Sequence, residues 1–297
     1  MNQSAANGTS PARPGWSVPT EVRTLISADG TPIYATRRGQ GDLAVVVSHG
    51  FSGGHRHGSH ARILGWFESQ GFTVFALDQR GHGKSGGYCT LAHYEPMDLD
   101  AVVAWARECG AKQVFTVGFS MGSATTLRHA ALANSATARP PLDADVLVSS
   151  RPDGVVSVGG AGQWFYRGSR KMRGLHVLVG SRLGRWFLRD RMGVRLTLDS
   201  WPAEDAPDRH DVQPLDPVGC MRALAPTPAL LVHGTRDDYF PVEHAERLFS
   251  AAEQMPGHRT TLWVKQEMAH AESGTTEQLV AEIAEWIRAE AAVNQHG

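Results

Sequence analysis

The chain has 297 residues, 41% hydrophobic and 20% charged, with a formal net charge of −1, a balance that excludes a disordered chain and gives no general attraction to nucleic acid. Its three cysteines, Cys89, Cys109 and Cys220, are too few and too scattered for a disulfide framework or a zinc-spaced cluster. No window approaches the roughly 20 uninterrupted apolar residues of a bilayer helix, and residues 1–19 lack the basic start and apolar centre of a secretory signal. A cytoplasmic protein without a transmembrane segment is therefore expected.

Residues 1–19, rich in Ser, Ala, Gly, Asn and Pro, read as a loose tail. Two short alternating runs follow, 22–27 and 32–36, joined by Ala28-Asp29-Gly30-Thr31 with its hairpin-type Asp-Gly turn. Runs 43–48, 72–77, 113–117, 144–149, 228–232 and 260–265 are β-rich, most of them nearly continuously apolar, as strands covered on both faces require. Between them the pattern predicts helices over 61–69, 96–107, 121–133, 242–252 and 276–291. Strands alternating with helices argue for a mostly parallel sheet wrapped on both sides.

One connection breaks the rhythm. About 77 residues separate the run ending at Ser149 from the one starting at Pro228, where a crossover needs only about a dozen or somewhat more. Most of it is expected to be an inserted cap, residues 151–215, on a core made of 20–150 and 216–293. Ligands of open α/β sheets bind outside the carboxyl ends of the strands, so such a cap roofs the site. Between Arg167 and Arg195 the segment carries nine Lys and Arg against one acid, Asp190, interleaved with Leu175, Leu178, Leu183, Trp186, Phe187 and Leu188. The pattern predicts two basic amphipathic helices.

Gly118-Phe119-Ser120-Met121-Gly122 follows the run 113–117 and opens the helix predicted from Met121. A bare Gly-x-Ser-x-Gly string carries little in a chain with 32 glycines. This one stands where a serine can be held on a strained strand-to-helix turn, with glycines leaving room for strand and helix to approach; the plainer reading is a serine that only caps the helix. Three further motifs stand at strand ends. They are His49-Gly50-Phe51 after the third, Asp78-Gln79-Arg80-Gly81-His82-Gly83-Lys84-Ser85 after the fourth, and His233-Gly234-Thr235-Arg236-Asp237 after the seventh.

In these four motifs, in this order, the chain resembles the α/β hydrolase superfamily over about residues 20–290 except the cap. The resemblance implies an α/β hydrolase fold: a mostly parallel eight-stranded sheet flanked by helices, with a helical cap inserted after strand six. It implies Ser120 as nucleophile, Asp237 as orienting acid and His270 as base, in the chain order that this fold uses. It nominates the backbone N–H groups of Phe51 and Met121 as oxyanion hole, and it implies no cofactor. The spacing agrees, with Asp237 four residues past His233 and four before Pro241, and His270 after the last strand.

Other assignments of single residues stand beside these. Asp238 is an alternative acid, Asp153 a poorer one, and His258 precedes a strand where a base should follow one. His55, His57 and His60 invite a metal, but no carboxylate or cysteine pattern accompanies them and a Gly-rich loop is the simpler account; no metal is expected. His82 and His233 read as structural members of their turns, and Leu91 and Trp263 as core.

The expected activity is hydrolysis of a carboxylic ester or thioester of a hydrophobic acyl group through an acyl-enzyme, on a small-molecule substrate. Acyltransfer, cyclisation and cofactorless peroxidation use the same triad, and a non-catalytic receptor is the alternative of a different class. Trp164, Phe165, Trp186 and Phe187 are the expected substrate contacts. On this reading aromatic and leucine faces line an acyl tunnel while arginines face an acidic carrier protein, a phosphate-bearing thioester or an anionic lipid surface; a plainly solvated helix face is the bland alternative.

Overall fold

Strands that are apolar at nearly every position need cover on both faces, because successive side chains point to opposite sides. The computed structural model describes residues 21–54, 58–135, 145–163, 165–196 and 216–294. Eight strands form one sheet: β1 (Glu21–Ile26), β2 (Pro32–Arg38), β3 (Leu43–Ser48), β4 (Thr73–Leu77), β5 (Gln113–Phe119), β6 (Gly154–Val158), β7 (Ala229–Gly234) and β8 (Thr260–Lys265). Their order is β1-β2-β4-β3-β5-β6-β7-β8. β1 and β2 pair antiparallel, as does β2 with β4, and the remaining pairs are parallel.

Alternation within β3 sorts the two layers. Val45 and Val47 face α1 (Gly58–Ser69) and α9 (Glu277–Asn294), joining Ile63, Leu64, Phe67, Val280, Ile283 and Ile287. Ala44 and Val46 face α2 (Glu95–Glu108), against Leu99, Val102, Val103 and Trp105. On that second side α3 (Met121–Asn134), α6 (Pro217–Arg222) and α7 (Glu243–Glu253) cover β6 and β7 through Leu127, Ala130, Met221 and Leu248. β1, at the edge, is partly exposed along its length.

The sixth strand is not where composition placed it. Residues 145–150 are irregular, and β6 runs from Gly154 to Val158, paired with β5 and β7. Both stretches are valine-rich, so composition does not separate them; hydrogen bonding does. The N–H groups of Ser149 and Ser150 donate to Asp100 Oδ1 on α2, at 3.0 and 2.7 Å, instead of to a strand, and Val146 packs with Met97 and Leu132. Residues 154–158 therefore belong to the sheet and not to the insertion expected over 151–215.

Beyond β6 come α4 (Arg170–Gly180) and α5 (Arg182–Met192), the two helices expected from the basic amphipathic pattern. Ser169 caps α4 by accepting from Met172 N at 3.1 Å, and Ser181 caps α5 by accepting from Gly184 N at 2.9 Å. Gly193, with φ 66°, ends α5 in the left-handed conformation that glycine adopts freely. The exit is stitched to the turn after β4, with Cys89 N donating to Arg195 O and Arg195 N to Gly81 O, each at 2.8 Å.

Asp100 also meets His129 Nε2 at 3.2 Å, so one carboxylate organises the approach to β6. Asp100→Ala is expected to lower the unfolding free energy by about 2 kcal/mol, the scale of hydrogen bonds to a charged group. Urea denaturation of the two proteins measures it, and an unchanged midpoint contradicts the anchoring role.

Candidate active site

Ser120 is the single residue between β5 and α3. Its backbone has φ 52° and ψ −111°, a region that costs a non-glycine residue about 1–3 kcal/mol. Hydrogen bonds hold it there, from Ser120 N to Val158 O at 2.9 Å and from Ser123 N to Ser120 O at 3.1 Å. The flanking glycines are steric requirements. A Cβ on Gly118 would lie 2.1 Å from Gly122 O, and one on Gly122 would lie 2.3 Å from Ser48 O.

Asp237 lies in the loop after β7, its side chain fully buried. Oδ1 accepts the N–H groups of Tyr239 and Phe240, each at 2.9 Å, and Oδ2 faces His270 Nδ1 at 2.7 Å. Burial alone would raise the carboxyl pKa, but the hydrogen bond and charge of His270, with the two N–H groups, hold it below its ordinary 3.8. His233 faces the carbonyl of Phe240 through Nε2 at 2.8 Å and so braces the same loop.

His270 follows β8 and precedes the short turn of helix α8 (Ala271–Gly274). Its Nε2 lies 2.8 Å from Ser120 Oγ, and the ring is packed by Tyr239 and Phe240 with centroids 4.4 and 5.7 Å away. With Nδ1–H donating to Asp237, Nε2 is left as an acceptor for the serine proton. The sequence thus named three side chains that the fold brings into one hydrogen-bonded line.

The alternatives take other places. Asp238 is half-exposed and pairs with Lys171 of α4 at 2.6 Å, tying that helix to the loop of Asp237. Asp153 precedes β6, at the amino end of the strands, and accepts Val114 N at 2.6 Å. His258 precedes β8. His49 and His60 are buried and their rings meet edge to face, as do those of His49 and His82, while His55 and His57 lie outside the described residues. Among the described residues no three His, Cys, Asp or Glu side chains assemble into a metal-binding group.

Phe51 and Met121 flank Ser120 from two directions. β3 lies beside β5, with Ser48 opposite Gly118, which brings the His49-Gly50-Phe51 turn next to the serine. That turn is held firmly. His49 Nδ1 donates to Gly50 O at 2.7 Å and its Nε2 accepts from Gln79 N at 3.1 Å, which requires a neutral ring. Burial, then the neighbouring His82 and His60, press the His49 pKa well below its ordinary value. Among the described residues neither the Phe51 nor the Met121 backbone N–H is taken by another group.

Sequence reasoning missed Glu272. Its carboxylate accepts Gly50 N at 2.7 Å, reaching from the loop of His270 to the residue before Phe51. The available signal was position, two residues after the histidine, but nothing in sequence says which way a glutamate points.

An apolar wall stands beside this group. Phe51, Met121 and Leu91 pack with Val179 and Leu188, and with Leu175 and Leu178, from the inner sides of α4 and α5. The expected aromatic contacts are placed differently. Trp186 and Phe187 lie on the outer side of α5, 56% and 43% exposed, because the helix turns Gly184 and Leu188 inward. Phe165 is half-buried, and Trp164 lies outside the described residues.

The model of the alpha/beta hydrolase family matches residues 45–272. Among solved structures, an esterase from Pyrococcus furiosus is 19% identical, with 90% of this chain and 91% of that one covered at a TM-score of 0.64. An alpha/beta hydrolase from a Penicillium species is 18% identical, with 93% and 100% covered at 0.63. A serine hydrolase without lid from Xanthomonas campestris is 16% identical, with 94% and 97% covered at 0.52. Likeness at these identities is likeness of fold.

The chain leaving β6 is anchored by His244 of α7, whose Nδ1 accepts Gly162 N at 3.0 Å. Burial first, then His233 and Arg247, lower its pKa from 6.5 to about 4. The folded value lies below the unfolded one, so its stabilisation is complete above pH 6.5 and is lost as pH falls towards 4. His244→Asn, which keeps an acceptor that does not titrate, is expected to flatten the decline in urea midpoint across that window. Parallel pH profiles for the two proteins rule the anchor out as its source.

Proposed function

This chain belongs to the alpha/beta hydrolase family, and from that premise we propose that it is a serine hydrolase cleaving a carboxylic ester or thioester of a hydrophobic acyl group. The observation that carries the reading is His270 bridging Asp237 and Ser120 at 2.7 and 2.8 Å. A serine hydroxyl is a weak nucleophile until a neighbouring base can take its proton. His270 Nε2 takes it as Ser120 Oγ attacks the acyl carbon, while Asp237 fixes the ring tautomer and stabilises the imidazolium.

In this reading the resulting oxyanion is met by the N–H groups of Phe51 and Met121, such donors being worth about 10²–10³ in rate apiece. Collapse breaks the bond to the alcohol or thiol, which leaves with the proton from His270. Water, deprotonated by the same nitrogen, then releases the acid and restores the serine. The wall of Phe51, Met121, Leu175, Leu178 and Leu188 supports a hydrophobic acyl group.

The test uses p-nitrophenyl and acyl-thioester panels of increasing chain length, with fluorophosphonate labelling. Wild-type protein is expected to label and turn over, Ser120→Ala to lose labelling and roughly 10⁶ in kcat, and Asp237→Asn roughly 10⁴. Absence of both labelling and turnover in folded wild-type protein overturns the reading.

Glu272 gives a finer test of the oxyanion turn. Glu272→Ala is expected to lower kcat on the order of tenfold with little change in KM, since Phe51 N–H loses its fixed aim. Glu272→Gln, which retains an acceptor for Gly50 N–H, restores most of it. Equal losses in both variants would assign the carboxylate charge, not its hydrogen bond, to the effect.

A further inference from the structure

We propose that the outer face of the α4–α5 hairpin docks on an anionic lipid bilayer. Leu183, Trp186 and Phe187, spaced so that they share one face of α5, are 75%, 56% and 43% exposed. Val177 on α4 and Met192 at the end of α5 are exposed as well. These side chains are not core residues turned out by chance. The inner side of the hairpin is already filled by Met172, His176, Val179 and Leu188, so both sides of the hairpin carry apolar groups.

Charge fits the same occupant. Seven of the 29 Lys and Arg of the chain lie on α4 and α5 against a single acid, Asp190, which pairs with Arg191 at 3.6 Å, so the hairpin keeps a strong excess of basic charge in a nearly neutral protein. Arg182 and Arg189 flank the ridge of Leu183, Trp186 and Phe187 on one side and Arg191 on the other, and all three arginines are exposed. Arg185 donates to the carbonyl of Val179, and Arg173 to those of Arg167 and Gly168, contacts that orient the guanidinium groups without neutralising them. Apolar and aromatic groups at the centre with guanidinium groups at the rim match a bilayer interface, where rings sit at headgroup depth and arginines meet lipid phosphates. An acidic protein partner would satisfy the arginines but supplies no reason for the apolar ridge between them.

The inner side of this hairpin packs on Phe51 and Met121 beside Ser120, so docking would place the hairpin between the bilayer and the apolar wall of the site. Docking itself does not need the catalytic reading; uptake of an acyl substrate from the bilayer does, and rests on it.

The experiment uses full-length Ser120→Ala protein, which cannot consume lipid, in co-sedimentation with vesicles of phosphatidylcholine alone or with one third phosphatidylglycerol, at low and high salt. Expected is partition onto the phosphatidylglycerol vesicles at least tenfold stronger than onto phosphatidylcholine, weakened at least tenfold by high salt. Arg182→Glu with Arg189→Glu, and separately Leu183→Ser with Trp186→Ser, should each lower it at least tenfold. In the background with Ser120 intact, both double variants should keep wild-type rates on a soluble short-chain ester, which certifies their folding. Equal partition onto the two vesicle types, or retention by a small acidic carrier protein with no vesicle binding, overturns the proposal. Vesicle binding without ester turnover would leave docking standing and the hydrolase reading fallen.

Discussion

The backbone of Ser120 is the constraint on which the site is built. A positive φ at a residue with a side chain is tolerated only where the surroundings over-determine it, and here three elements do so at once. β6 supplies the carbonyl of Val158, α3 starts one residue later, and β3 presses the carbonyl of Ser48 to within 2.3 Å of where a Cβ on Gly122 would stand. The strain lifts the hydroxyl out of the strand line to where His270 Nε2 meets it.

Motif and periodicity made the frame legible. Strands covered on two faces, helices between them and four turns at strand ends are local properties; the runs 43–48 and 260–265 match β3 and β8 to the residue, and 113–117 lies within β5, which runs on to Phe119. What was not legible depended on competition between similar segments. Residues 145–149 and 154–158 are equally apolar, and the choice is made at a distance by Asp100 on α2 and by Asp153, which accepts the first ladder donor, Val114 N. Helix phase was the other gap. Composition said that leucines and aromatics share α5, but Ser181 as cap and Gly184 at the close contact with Leu178 O set which of them face inward.

That phase gives the hairpin its two characters. Leu175, Leu178, Val179 and Leu188 turn to the site, and the aromatics turn away with the arginines. Lys171 serves the loop after β7 instead. Its ammonium pairs with Asp238 at 2.6 Å and lies over the Tyr239 ring, so one charge of the hairpin is turned inward to fasten α4 to the loop that carries Asp237. The position of α4 and the position of the buried Asp237 carboxylate are therefore linked through adjacent residues.

The last constraint runs across the sheet. The His49-Gly50-Phe51 turn leaves β3 and the His270 loop leaves β8, and β5, β6 and β7 lie between those strands. Sheet register fixes each loop to its neighbours but does not fix one to the other over that span. One hydrogen bond does, from Gly50 N to Glu272 Oε1, and a second, from Ser120 Oγ at the end of β5 to His270 Nε2, closes on the same short stretch, residues 270–272. Because Glu272 is only two residues from His270, a shift of that loop large enough to break one contact strains the other. The His270 loop and the His49-Gly50-Phe51 turn are thus held in register by the Glu272 carboxylate.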